Sequence, residues 1–179
     1  MAFKRTFALV ASIMLSATLY GQVNNFSVTS EGKVYWQRVY PTDLSHEELL
    51  DIIVNDGNFV DVNDGEVITF RLIRGKVDFK QLGFSRGSLP LYATASDITC
   101  FVTIQIKDGR YRVTADNILT VENRTDGMFK EGDENPIETW AVKKGEISNA
   151  FSKIPSQLYN GYFSNLFLFQ KKSYIDDEW

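Results

Sequence analysis

The side chains best suited to catalysis or metal binding are those of one histidine, His46, and one cysteine, Cys100. A lone histidine makes a general base or a metal site only together with further ligands or a nucleophile. We expect His46 at the first position of a helix, which normally faces solvent. Cys100 alternates with Val102, Ile104 and Ile106, so its thiol is expected on the apolar face of a strand, where it is inert. We therefore predict no catalytic residue, no metal site and no cofactor.

The acidic residues are the next candidates, and four of them cluster in sequence at Asp56, Asp61, Asp64 and Glu66. The segment 61–65 is one residue short of the EF-hand calcium template, whereas a turn between two strands explains it fully. A later group, Glu131, Asp133 and Glu134, has no ligand spacing and indicates a solvated loop. Paired carboxylates of a glycoside-hydrolase kind depend on three-dimensional separation, so a carboxylate-dependent hydrolase stays open as an alternative function.

Cations offer the best binding candidate. Asp108-Gly109 is a two-residue hairpin signal, and pairing outward from it aligns Lys107 with Arg110 and Gln105 with Arg112. We predict that Gln105, Lys107, Arg110 and Arg112 share one face of the ribbon. Three cations beside a polar acceptor suit an anionic group or an acidic loop of a partner, although a solvated sheet face would have the same composition.

A second candidate surface lies in the irregular segment 74–97, where Phe84 and Tyr92 stand among several other hydrophobic residues. Hydrophobic loop residues either tuck beneath their loop or form a patch for a partner, and the sequence favours neither. The segment is either a long excursion or an additional irregular strand pair.

The elements that must position these residues follow from the patterning. The hairpin predicts two long antiparallel strands whose alternation continues to Leu119 and Val121. Strands are also predicted at 26–29, 34–40, 59–62 and 67–73, and polar loop at 123–144. Ser45 and Glu48 form a capping box that starts a helix ending near Asn55. Apolar residues recur at spacings of three and four over 146–170, which predicts a C-terminal helix that Pro155 either kinks or splits.

The sequence begins with Lys4 and Arg5, followed by a charge-free apolar run from Phe7 to Leu19. This pattern is typical of a secretory signal peptide, predicted as residues 1–21, and the run is too short to span a membrane. Without the leader, 17 basic and 23 acidic residues remain, a net charge of −6. An acidic exported protein is a poor nucleic-acid binder. The only cysteine is far from the predicted cleavage site, so no lipid anchor is expected.

These features together resemble a known family. The export signal, the Ser-capped helix and above all the run Lys107-Asp108-Gly109-Arg110-Tyr111-Arg112 are similar to an uncharacterised secreted Bacteroidota family, a domain of unknown function with a TBP-like (TATA-box-binding-protein-like) fold. The resemblance covers about 34–121, with the C-terminal helix as the last element. It implies no catalytic residues, and the name of the fold implies no DNA-binding function.

We therefore expect one domain over 22–179, of α+β class, with an antiparallel sheet of four to six strands and two helices packed on one face. The expected location is the periplasm, the outer envelope or the exterior. The favoured function is a non-catalytic binding module for an unknown protein or surface polymer. The alternatives are the hydrolase and a structural subunit of an envelope assembly that uses the C-terminal helix as its interface.

Overall fold

The computed structural model describes residues 22–126 and 128–170. Its strands are β1 (Phe26–Val28), β2 (Val34–Pro41), β3 (Phe59–Asn63), β4 (Ile68–Gly75), β5 (Ser96–Lys107), β6 (Arg110–Glu122), β7 (Glu134–Pro136), β8 (Val142–Lys143) and β9 (Glu146–Ile147). Its α-helices are α1 (His46–Val54), α2 (Leu91–Thr94), α3 (Glu138–Ala141), α4 (Asn149–Ser152) and α5 (Ile154–Leu166). The predicted signal peptide, residues 1–21, lies outside the described residues.

The main sheet is antiparallel throughout, with the strand order β1-β2-β6-β5-β4-β3. The short strand β7 pairs with the last part of β6, beyond the stretch that β2 covers, and makes a seventh strand. The pair β8–β9 forms a separate ribbon. The α+β class predicted from the sequence is confirmed, but the main sheet has seven strands and not the four to six expected. Strands β5 and β6 lie at its centre.

The central hairpin has the predicted register, from Lys107 opposite Arg110 to Val102 opposite Ala115. Asp108 and Gly109 both have positive φ, 52° and 69°, as this turn requires. The predicted alternation fails further along β6. Asn117 has a φ of 46°, the register shifts beside it, and Ile118 rather than Leu119 enters the core. A bulge inserts one extra residue and therefore exchanges the two faces of the strand.

Helix α1 begins with the predicted capping box. The Ser45 hydroxyl accepts a hydrogen bond from the backbone N–H of Glu48, and the Glu48 carboxylate accepts one from the N–H of Ser45. Leu49 and Ile53 are buried against the sheet, and Asn55 caps the C-terminus. The sequence prediction for this helix is confirmed at both ends.

Two segments differ from the sequence predictions. The described residues of 74–97 form a long excursion with a short 3-10 helix at Arg86–Ser88 and helix α2, not a strand pair. The predicted loop 123–144 contains β7, α3 and β8, which is more structure than its polar sequence suggested. Short elements of two to four residues are stabilised by their neighbours and leave almost no periodic signal in the sequence.

The C-terminal helix is split rather than kinked. Helix α4 ends at Ser152, Lys153 has non-helical backbone angles, and Pro155 occupies the first turn of α5, where its missing N–H costs nothing. The aromatic residues of this region point inward: Phe163 and Phe167 contact the indole of Trp36, at centroid distances of 5.4 and 5.8 Å. These two rings therefore belong to the core, and the use of the C-terminal helix as the interface of an assembly stays a prediction.

The core also holds tyrosines. Burial raises the pKa of five of them, called here the core tyrosines: Tyr40, Tyr92, Tyr111, Tyr159 and Tyr162. Their phenols stay protonated at neutral pH and can act as hydrogen-bond donors.

Candidate functional site

The candidate site lies on the face of the main sheet that the helices leave uncovered. Alternation along β6 turns Tyr111 and Val113 into the core and leaves Arg110 and Arg112 exposed on the other face. On the neighbouring strands, Gln105 and Val39 stand directly opposite Arg112. Arg112 thus lies in register with a polar residue on one neighbouring strand and an apolar residue on the other.

At the turn end of this face lies a groove of about 540 Å³, called here the hairpin groove. All four residues predicted from the hairpin line it, namely Gln105, Lys107, Arg110 and Arg112. The prediction that they share one surface agrees with this geometry. The volume lies within the range of about 300–1,000 Å³ typical of small-ligand sites.

The remaining wall of the hairpin groove is mixed. Val39, Val67 and Ile106 supply apolar surface, and Glu66 supplies one carboxylate. Val39 is 51% exposed, so its apolar surface is open to a ligand. The groove therefore combines three cations, one anion and an apolar wall.

The cations differ in how they are held. The Arg112 Nε donates to Gln105 Oε1 at 2.9 Å, and its Nη2 donates to the same oxygen. Lys107 Nζ lies 4.0 Å from Asp108 Oδ2 and both side chains are exposed, so this ion pair contributes little to stability. Within residues 22–126 and 128–170, the Arg110 guanidinium has no hydrogen bond or ion pair. The guanidinium groups of Arg110 and Arg112 can therefore donate hydrogen bonds to an incoming anion.

Phe84 and Tyr92 lie apart from the hairpin groove. Both are half-buried and pack against the core. The Tyr92 ring stacks on Trp140, with the centroids 4.8 Å apart and the planes at 4°, and burial raises the pKa of its phenol to about 12. Both residues thus pack against the core, and a partner-binding role for them stays a prediction.

His46 and Cys100 occupy the environments expected of them. His46 stands at the start of α1 with its side chain 38% exposed, and its Nε2 lies 2.6 Å from Asp64 Oδ1. This contact fastens the helix to the turn between β3 and β4, which leads to Glu66 of the groove wall. Cys100 is buried, and burial raises the pKa of its thiol.

Sequence reasoning missed two buried carboxylates. Asp97 accepts from Arg74 Nε at 3.2 Å and from the Asn123 amide at 2.7 Å. Glu122 pairs with Arg124 Nε at 3.3 Å, and its other oxygen has no partner within the described residues. In the ladder Asp97 is opposite Val121, so Asp97 and Glu122 point to opposite faces of the sheet. They do not converge as the acid and base of a hydrolase must.

Residues 22–126 and 128–170 contain no group of three or more His, Cys, Asp or Glu side chains placed to hold a metal ion. Within the same ranges, no helix has the length and apolar character needed to cross a membrane.

Two solved structures are similar to this chain. A TBP-like protein from Parabacteroides distasonis is 17% identical with a TM-score of 0.43, over 78% of this chain and 90% of that one. A DUF4468 family protein from Bacteroides ovatus is 13% identical with a TM-score of 0.45, over 84% and 90%. Both organisms belong to the Bacteroidota. Both descriptions agree with the resemblance drawn from the sequence. No family model and no curated protein matches the chain.

Proposed function

We propose that this protein is an exported, non-catalytic binding domain that holds an anionic group of a protein or surface polymer in the hairpin groove. One observation carries the proposal. The Arg110 guanidinium is exposed and has no partner within the described residues, and it lines the same groove as the Arg112 guanidinium, which Gln105 holds in one orientation. Guanidinium groups form paired, charge-assisted hydrogen bonds with carboxylates and phosphates.

The charge distribution supports an anionic ligand. The whole sequence has a net charge of −4, yet Lys107, Arg110 and Arg112 face one groove that contains a single acidic residue, Glu66. A local positive field on an acidic protein favours association with a particular anionic surface over indiscriminate binding to polyanions. The proposed export rests on the predicted signal peptide, residues 1–21.

The experiment compares three forms of the mature protein as baits in extracts of the cell envelope. The variant Arg110→Glu/Arg112→Glu reverses the groove charge. Arg86→Glu is the matched control, because Arg86 is an exposed arginine of the excursion that does not line the groove. We expect the wild type and Arg86→Glu to retain the same component, and the groove variant to lose it.

Retention of the same component by the groove variant would contradict the proposal. Circular dichroism and a thermal melt of each bait establish that the substitutions leave the fold intact. Repeating the capture at raised salt adds a second criterion, since binding through exposed cations weakens as ionic strength rises.

A further inference from the structure

We infer that the ligand of the hairpin groove is an extended acidic segment of a partner polypeptide, with carboxylates on alternate residues. This inference rests on the proposed function and specifies its ligand. Three features of the groove support it: the spacing of the cations, the hydrogen bonds that hold Arg112, and the composition of the groove wall.

The spacing comes from the strand itself. Arg110 and Arg112 are two residues apart on β6 and project from the same face, about 6.4–6.8 Å apart along the strand. An extended polypeptide has the same repeat, so its residues i and i+2 also present side chains to one side at this interval. A segment running along β6 therefore brings one carboxylate to each guanidinium.

Gln105 sets the orientation of one of these guanidinium groups. Its Oε1 accepts from both Nε and Nη2 of Arg112, which leaves Nη1 without a hydrogen bond within the described part of the chain. An arginine already fixed in one orientation loses less conformational entropy when a ligand binds. Gln105 is thus a positioning residue for the recognition of a carboxylate.

The wall of the groove disfavours a dense polyanion. Glu66 would repel a second negative charge brought close to it, and Val39 and Val67 offer no hydrogen bonds to a phosphate chain. An acidic peptide matches this wall better. Its backbone N–H groups can donate to Glu66, and the side chains between its carboxylates can cover the valines.

The test measures the binding of labelled nine-residue peptides to the full mature protein by fluorescence anisotropy. One peptide carries four Asp alternating with Val. A second has the same composition with Asp at positions 1, 2, 5 and 6, so that no two Asp lie two residues apart, and inorganic polyphosphate is the third probe. We expect the alternating peptide to bind at least about tenfold more tightly than the paired one, because only its carboxylates match the interval along β6.

Two variants address the residues directly. Arg112→Lys keeps the charge but removes the planar guanidinium. The affinity for the alternating peptide should fall by about tenfold, whereas the affinity for polyphosphate should change little. Gln105→Glu gives Arg112 a competing carboxylate within the protein, and should also abolish most of the preference for the alternating peptide. Arg86→Glu should leave the affinity for every probe unchanged.

The outcomes separate this inference from the function on which it rests. The acidic-peptide assignment is overturned if the two peptides bind with equal affinity. It is also overturned if polyphosphate binds more tightly than either peptide and the Arg110→Glu/Arg112→Glu variant abolishes that binding. In both cases the groove remains an anion-binding site. Binding of no probe, together with a charge-sensitive component in envelope extract, would likewise overturn only the peptide assignment. Probe binding that the groove variant leaves unchanged would overturn both.

Discussion

The substitution Tyr111→Phe tests how the hairpin is anchored beneath its exposed face. The Tyr111 hydroxyl donates to the backbone carbonyl of Phe167 at 2.8 Å and accepts from the N–H of Phe169 at 3.0 Å. All three residues are buried. A tyrosine hydroxyl is protonated at neutral pH and can donate, and burial raises the pKa of this phenol further. One oxygen atom therefore joins the centre of the sheet to the chain that follows α5.

The expected magnitude follows from these two hydrogen bonds. Phenylalanine keeps the ring and its packing against Phe169 but leaves a buried carbonyl and a buried N–H without a partner. Each unsatisfied buried group costs about 1–3 kcal/mol, so we expect the free energy of unfolding to fall by about 2–4 kcal/mol. For a chain of this length, that loss lowers the melting temperature by about 5–15 °C.

The assay is urea unfolding followed by circular dichroism, with Tyr40→Phe as the matched control. Tyr40 stacks on Tyr111, with the ring centroids 5.0 Å apart, but its hydroxyl makes one longer hydrogen bond of 3.2 Å to the Ser164 carbonyl. We expect about 0.5–1.5 kcal/mol for the control. If Tyr111→Phe destabilises the protein no more than Tyr40→Phe does, the buried hydroxyl is not the anchor and the reasoning is refuted.

The remaining predictions concern stability. A Cβ on Gly75 would lie 2.1 Å from the Tyr162 hydroxyl oxygen, so Gly75→Ala should cost about 1–3 kcal/mol and Tyr162→Phe should recover part of that loss in the double variant, both measured by urea unfolding. In the folded protein the core tyrosines have pKa values raised above 10.0. Their protonated form therefore contributes fully to the free energy of unfolding below about pH 10, and this contribution should decline at higher pH. Urea midpoints measured across this pH range test the prediction. Cys100 should react with thiol reagents only as fast as the protein unfolds. Ser45→Ala should lower the free energy of unfolding by about 1 kcal/mol in the same assay.

The sequence predicted best where local chemistry determines the structure. The Asp108-Gly109 turn set the register of six residue pairs, and the Ser45–Glu48 box set the start of α1. Both signals act within a few residues, so no knowledge of the tertiary fold is needed to read them. The positions of Gln105 and Arg112 across the groove followed from the same register.

The parts that could not be predicted depend on contacts between distant segments. Asn117 resembles any polar strand residue, and only its backbone angle in the folded chain reveals the bulge. Asp97 is buried because Arg74 and Asn123 reach it from 23 and 26 residues away. The contact of His46 with Asp64 spans 18 residues. No local pattern in the sequence encodes pairings of this kind.

The core anchor and the candidate binding surface are coupled because they alternate along one strand. Tyr111 lies between Arg110 and Arg112, so the period of two that sends its hydroxyl to Phe167 also sends both guanidinium groups to the open face. A slip of one residue would bury two charges and expose the phenol, losing the core hydrogen bonds and the groove at once. The turn glycine is decisive for both, since Gly109 needs positive φ for the register to form. The hairpin groove is therefore as firmly specified as the core, although every charged side chain that lines it is exposed.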